Sequence, residues 1–165
     1  MLHQQGLIDL FHKTINMEQK QINQPSAAFI AASWLAFFIG TIAFIIGLWN
    51  AEMQLNEKGY YFTVLMFGLF SAVSVQKAVR DQLEGIPVTN LYYGIAWFTT
   101  LLSIVLLTVG LWNAEMAKSE KGFYAMSFVL SLFAAIAVQK NTRDSKAALE
   151  EPEANVASLE RRKDL

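Results

Sequence analysis

Residues 27–50, 59–76, 91–114 and 122–139 contain no charged side chain. About 17–25 apolar residues in helical form cross the roughly 30 Å hydrocarbon core of a bilayer. All four runs meet that length, the second and fourth near its lower limit. Within the first run, Phe37-Phe38-Ile39 and residues 42–46 place bulk on every face of the helix. A surface helix of a water-soluble bundle keeps one polar face, so the pattern disfavours a soluble bundle. The pattern predicts an all-α membrane protein with four transmembrane helices.

The runs are related in pairs. Gly47-Leu48-Trp49-Asn50-Ala51-Glu52-Met53 recurs unchanged 63 positions later as Gly110 to Met116. At the same offset Trp34 meets Trp97, Glu57-Lys58-Gly59 meets Glu120-Lys121-Gly122, and Val75-Gln76-Lys77 meets Val138-Gln139-Lys140. From Trp34 to Asp81, 20 of 48 positions are identical to their counterparts without a gap. Each copy holds two spans, so both copies enter the membrane in the same orientation, as a parallel internal repeat. The organisation is two tandem helical hairpins at 27–81 and 90–144. They are preceded by an N-terminal segment (1–26), joined by a linker (82–89, with Gly85 and Pro87) and followed by a polar tail (145–165).

The repeated heptapeptide lies at the turn of each hairpin. Trp49 and Trp112 sit where an indole can rest at headgroup depth. Ala51-Glu52-Met53 are helix formers, which predicts that the first helix continues a turn beyond the tryptophan. Asn56 and Ser119 are the expected N-caps of the next helix, with Glu57 and Glu120 at its positive end. That leaves a loop of two or three residues and makes the two helices of a hairpin antiparallel neighbours. Small residues at spacing four (Ala43, Gly47 and Ala51; Gly68 and Ala72; Ser131 and Ala135) mark faces where backbones approach closely in lipid. Gln76 and Gln139 end the second of these stripes and are candidate interhelical polar contacts.

Charge sets orientation. Ten of the 13 Lys and Arg residues lie in the N-terminal segment, the central linker region and the C-terminal region, and three (Lys58, Lys118, Lys121) lie at the hairpin turns. Basic residues stay cytoplasmic, so both termini are expected inside and both turns outside. Near-neutral net charge, −1, gives no electrostatic footprint for nucleic acid. The first 26 residues are mostly polar and the first apolar run is too long for a signal core, so it is expected to remain as an anchor. Apolar residues at 7, 8, 11 and 15 have the spacing of a short helix lying on the membrane surface. From Ser145 onward the chain reads as a mobile cytoplasmic tail, helical near Leu159.

Little of the chain points to chemistry. There is no cysteine, and both histidines, His3 and His12, are N-terminal and far from any carboxylate cluster. No ionisable residue falls within a span, where proton-coupled pumps and ion transporters carry one. No span contains proline, and no nucleophile motif, phosphate loop or metal spacing is present. No enzyme activity, cofactor or metal is expected. The turn residues Trp49, Asn50, Glu52, Trp112, Asn113 and Glu115 are the candidate functional or structural positions. Glu52 and Glu115 could share a proton or a cation, or simply cap their hairpins. Asn50 and Asn113 have the reach to bond free turn carbonyls. Lys77 and Asp81, like Lys140 and Asp144, read as solvated helix-end pairs.

A hairpin with GLWNAEM at its turn, then E-K-G-[YF]-Y, then an apolar helix ending in V-Q-K-x-x-R-D, resembles the YiaA/YiaB two-helix domain of bacterial inner-membrane proteins. The resemblance covers about 27–81 and 90–144. It implies a multi-pass inner-membrane location and brings no catalytic residue or substrate. Two functions remain open: a non-enzymatic accessory or scaffold protein acting through helix contacts, or a small transporter or channel working as an oligomer. The expected partners are the lipid bilayer and either a second copy or another membrane protein.

Overall fold

The computed structural model describes the backbone of residues 25–163 and the side chains of residues 25–147. The surface helix expected around residues 7–15 lies outside the described residues. Four helices follow in order: α1 (Ala27–Asn50), α2 (Leu55–Leu83), α3 (Asn90–Asn113) and α4 (Lys118–Lys163). All four contain a segment long and apolar enough to cross a membrane.

The two copies start alike. Ser26 Oγ accepts from Phe29 N–H (3.2 Å) ahead of α1, and Thr89 Oγ1 accepts from Tyr92 N–H (3.3 Å) ahead of α3. Each hydroxyl satisfies one of the free donors of a first helical turn. Between the copies, α2 ends on Gly85 at φ +73°. Ile86 N–H bonds Asp81 C=O (2.9 Å) and Gly85 N–H bonds Gln82 C=O (3.2 Å). This paired closure needs a left-handed residue after the helix, which glycine supplies without a Cβ clash.

At the hairpin turns the structure departs from the expectation in two ways. α1 and α3 stop at Asn50 and Asn113, one residue past the tryptophan, where the sequence predicts a further turn. Ala51 N–H still bonds Gly47 C=O and Ala114 N–H bonds Gly110 C=O, closing the last turn. Ala114 is already extended, at φ −68° and ψ 140°. The following helices also begin earlier than Asn56 and Ser119. Gln54, extended at φ −66° and ψ 154°, is the cap of α2, and its N–H bonds Glu57 Oε2 at 2.9 Å. In the second copy Ala117 N–H bonds Glu120 Oε2 at the same distance. The glutamates thus act as the reverse half of a capping box. Asn56 and Ser119 fall inside the first turn. Each loop is four residues, not two or three.

The longer loop changes the packing. Four extended residues reach about 13–14 Å, more than the roughly 8–10 Å between packed helix axes. The helices of one hairpin are therefore free to take different partners, and they do. α2 packs along α3 of the other copy. α1 packs on α4: a Cβ placed on Gly40 would lie 2.8 Å from Ser131 Oγ and 2.9 Å from Ser131 N. The exchange is reciprocal. Gly47 of α1 faces Phe123 and Tyr124 of α4, and Gly110 of α3 faces Tyr60 and Tyr61 of α2, each residue 63 positions from its counterpart. Among the described residues α1 and α2 share no comparable close approach, and a cleft of about 610 Å³, lined by Leu107, Leu111, Trp112, Lys121 and Ala125, opens between α3 and α4. In the first hairpin the two helices are thus not the packed neighbours that a minimal loop would impose.

α2 and α4 form the centre of the helical body, residues 31–140. A third or more of their spanning segments is buried (33% and 39%), against 17% and 22% for α1 and α3. The core runs from Phe44 and Leu48 through Tyr61, Leu65 and Phe128 to Leu107 and Leu111, drawing on all four helices. Beyond Ser145, where a mobile tail was expected, α4 continues to Lys163. Residues 145–163 are rich in Ala, Leu, Glu, Lys and Arg, all good helix formers.

Candidate functional site

The pseudo-symmetric centre of the turn end is a pair of tyrosines. Tyr61 and Tyr124, 63 positions apart, stack with ring centroids at 6.1 Å and planes 19° apart. They are 4% and 3% exposed. Phe44 meets Tyr124 edge-on at 5.2 Å, and Tyr60 Oη donates to Leu106 C=O at 2.7 Å, tying α2 to α3. The lysines of the E-K-G motif close the hairpins: Lys58 Nζ bonds Trp49 C=O at 2.9 Å and Lys121 Nζ bonds Trp112 C=O at 3.4 Å. These bonds satisfy carbonyls that the end of α1 or α3 leaves free. Asn113 Nδ2 donates to Val109 C=O, one turn back on its own helix, at 2.8 Å.

Next to the tyrosine stack lies a cavity of about 650 Å³. Both GLWNAEM turns line it, through Asn50, Glu52 and Met53 from the first and Glu115 and Met116 from the second. Ser119, Glu120, Phe123 and Tyr124 of α4 and Gly47 of α1 complete the wall. The fold therefore gathers Asn50, Glu52 and Glu115 around one opening. Trp49 and Trp112 point elsewhere and are 82% and 83% exposed, as suits side chains at a lipid boundary. Gln76 is half-buried, and Gln139 buries its Oε1 without a hydrogen-bond partner. Asp81 is buried and pairs with Lys77 at 2.5 Å. Among the described residues no three His, Cys, Asp or Glu side chains come together as a metal site.

Tyr61 and Tyr124 escape the sequence reading, which weighs charged and turn residues. The signal was present: each is preserved in the E-K-G-[YF]-Y motif of its copy.

A model of the yiaA/B two-helix domain matches residues 29–81 and again 92–144. The chain belongs to the YiaA/YiaB family. Among its relatives, "Inner membrane protein YiaA" of Escherichia coli (strain K12) is 58% identical over 125 residues, 76% of this chain and 86% of that protein. "Inner membrane protein YiaB" of the same organism is 30% identical over 100 residues, 60% of this chain and 84% of that one. "Uncharacterized membrane protein YubF" of Bacillus subtilis (strain 168) is 40% identical over 67 residues, 40% of this chain and 77% of that protein. No solved structure matches the chain. With four spanning helices and two YiaA/YiaB domains, it is a multi-pass inner-membrane protein.

Proposed function

We propose that this YiaA/YiaB protein is a non-enzymatic accessory or scaffold protein of the inner membrane that acts through helix contacts. The observation that carries the reading is its membrane-depth interior, a close-packed seam of Gly40, Ser131, Gly68 and Phe128 with no charged residue. Such a seam holds helices together but offers no ion a path and no substrate a reactive group. Large side chains remain for outside partners: Phe70 and Phe133, at equivalent positions of α2 and α4, are 72% and 67% exposed. Cross-linking in native membranes followed by mass spectrometry tests the reading. The expected product joins the protein to a second copy or to another membrane protein through the faces bearing Phe70 or Phe133. A protein that stays monomeric and uncross-linked at native expression overturns it.

The ten-to-three distribution of basic residues supports cytoplasmic termini and external turns. The chain has no native cysteine, so Ala51→Cys and Ala114→Cys can each be labelled without background. Both are expected to react with a membrane-impermeant maleimide added to intact inner-membrane spheroplasts. Labelling only after lysis would invert the assignment.

The cavity bordered by Glu52 and Glu115 favours a second reading, a small transporter working as an oligomer. Flux into proteoliposomes that falls on Glu52→Gln or Glu115→Gln would promote this reading over the first. Flux indifferent to both removes these residues from any transport mechanism.

A further inference from the structure

We propose that the cavity between the two GLWNAEM turns binds an organic cation, an ammonium or phosphonium centre carrying an apolar body. This does not rest on the scaffold reading, because binding here needs neither a protein partner nor a passage across the membrane.

Size is the first observation. About 650 Å³ lies within the range of roughly 300–1,000 Å³ typical of small-molecule sites. Charge is the second. Glu52, Glu115 and Glu120 border the cavity and no lysine or arginine does. Glu120 spends one oxygen on Ala117 N–H. Glu52 and Glu115 have no hydrogen-bond or ion-pair partner among the described residues and are exposed. The ammonium groups of Lys58 and Lys121 are held on the Trp49 and Trp112 carbonyls, outside the lining, so the lining itself carries only negative charge, which favours a cation.

The third observation is independent of the carboxylates. Tyr124 is 3% exposed and lines the cavity. Its ring is held by Phe44, Tyr61 and Phe123, yet among the described residues its hydroxyl has no hydrogen-bond partner. The oxygen is not among the fully buried unpaired polar atoms of the described residues, so it is reached from the cavity that the side chain lines. The hydroxyl ends at Gly47, also in the wall, where an added Cβ would stand 3.4 Å from the oxygen. A hydroxyl reached from the cavity and bonded to no protein group leaves its lone pairs for a bound cation.

The remaining wall sets the ligand class. Phe123 brings an aromatic ring to the lining, a group that attracts cations, and Met53 and Met116 bring polarizable thioethers that adapt to irregular apolar bodies. An inorganic divalent ion needs several oxygens converging at about 2.0–2.6 Å, and among the described residues no such cluster exists. A lining of spread carboxylates, an aromatic ring and thioethers fits a large, diffuse cation instead.

Isothermal titration of the purified full chain in detergent with tetraphenylphosphonium chloride tests the proposal, with protein-free micelles subtracted because this cation partitions into detergent. Saturable binding is expected, weakened about tenfold or more by Glu52→Gln with Glu115→Gln, and about threefold by Tyr124→Phe, which keeps the ring packing. Glu57→Gln, outside the cavity, should leave the affinity unchanged. The neutral triphenylphosphine oxide should bind at least tenfold more weakly than the phosphonium. Thermal unfolding curves matching those of the parent protein establish that the variants are folded. The proposal is overturned by the absence of saturable heat, by equal affinity in the double glutamine variant, by equal affinity for the neutral analogue, or by stoichiometric displacement of the phosphonium by calcium.

Discussion

Gly40→Ala is expected to destabilise the protein by about 3 kcal/mol, the upper end of the range for overpacking a filled interior. The added methyl would stand 2.8 Å from Ser131 Oγ, 2.9 Å from Ser131 N and 3.1 Å from Ser127 C=O. Two of these three atoms are helix backbone, and they cannot move aside by a rotamer change. α1 must lift away from α4 along its whole contact. Ser131→Ala would remove only the hydroxyl and restore only part of the loss. Gly94→Ala is the control: nothing lies within 4 Å of its new methyl, so the change is expected to be neutral or stabilising by about 0.5–1 kcal/mol through helix propensity. Unfolding in mixed micelles of increasing SDS fraction, followed by tryptophan fluorescence, measures both. Equal behaviour of the two alanine variants would show that α1 does not rest on α4 at Gly40.

Gly68→Ser is expected to cost about 2–3 kcal/mol, and Phe128→Leu to recover most of it. A Cβ on Gly68 would meet Phe128 Cζ at 2.6 Å and Cε2 at 2.9 Å. Phe128 is 1% exposed and also packs on Phe44, with ring centroids at 6.5 Å, so its ring has little room to retreat. The 63-residue offset explains the choice of rescue. Gly68 corresponds to Ser131, and Phe128 corresponds to Leu65. This pair between the copies sets the smallest residue against a phenylalanine, while the equivalent positions, Ser131 and Leu65, hold a serine and a leucine. The two copies diverged with compensating volumes. Installing the serine and leucine together should therefore give a double variant more stable than the sum of its single changes predicts. The absence of a favourable coupling of about 1 kcal/mol or more in that cycle would sink the idea that these volumes are matched.

Much of this fold is legible along the chain because lipid imposes simple requirements. A backbone surrounded by hydrocarbon must satisfy its own hydrogen bonds, so uncharged runs of 18 or 24 residues become helices wherever they occur. The exact recurrence of GLWNAEM reveals the duplication without any coordinates. The hairpin turns are less legible. Ala51, Glu52 and Met53 favour helix locally, but the loop must carry the chain to a helix seated elsewhere, and that demand keeps Gln54 and Ala114 extended. The early capping by Glu57 and Glu120 follows from the same displaced start.

The cavity was only half legible. Glu52 and Glu115 stand out because they are repeated carboxylates. That they border one opening depends on both turns flanking the Tyr61–Tyr124 stack. Tyrosine next to an apolar run carries no mark of such a role until its neighbours are known.

Helix number, membrane residence and internal duplication are written in composition and period, since each follows from local hydrophobicity and self-similarity. Partner choice is not. α1 and α2 are adjacent in the chain, yet α1 seats on α4 and α2 on α3, because glycine faces meet bulky or backbone-close surfaces of the opposite copy better than those of their own. In a bilayer apolar surface alone does not drive helices together, so fine complementarity of shape selects the pairing, and that complementarity exists only between surfaces already folded.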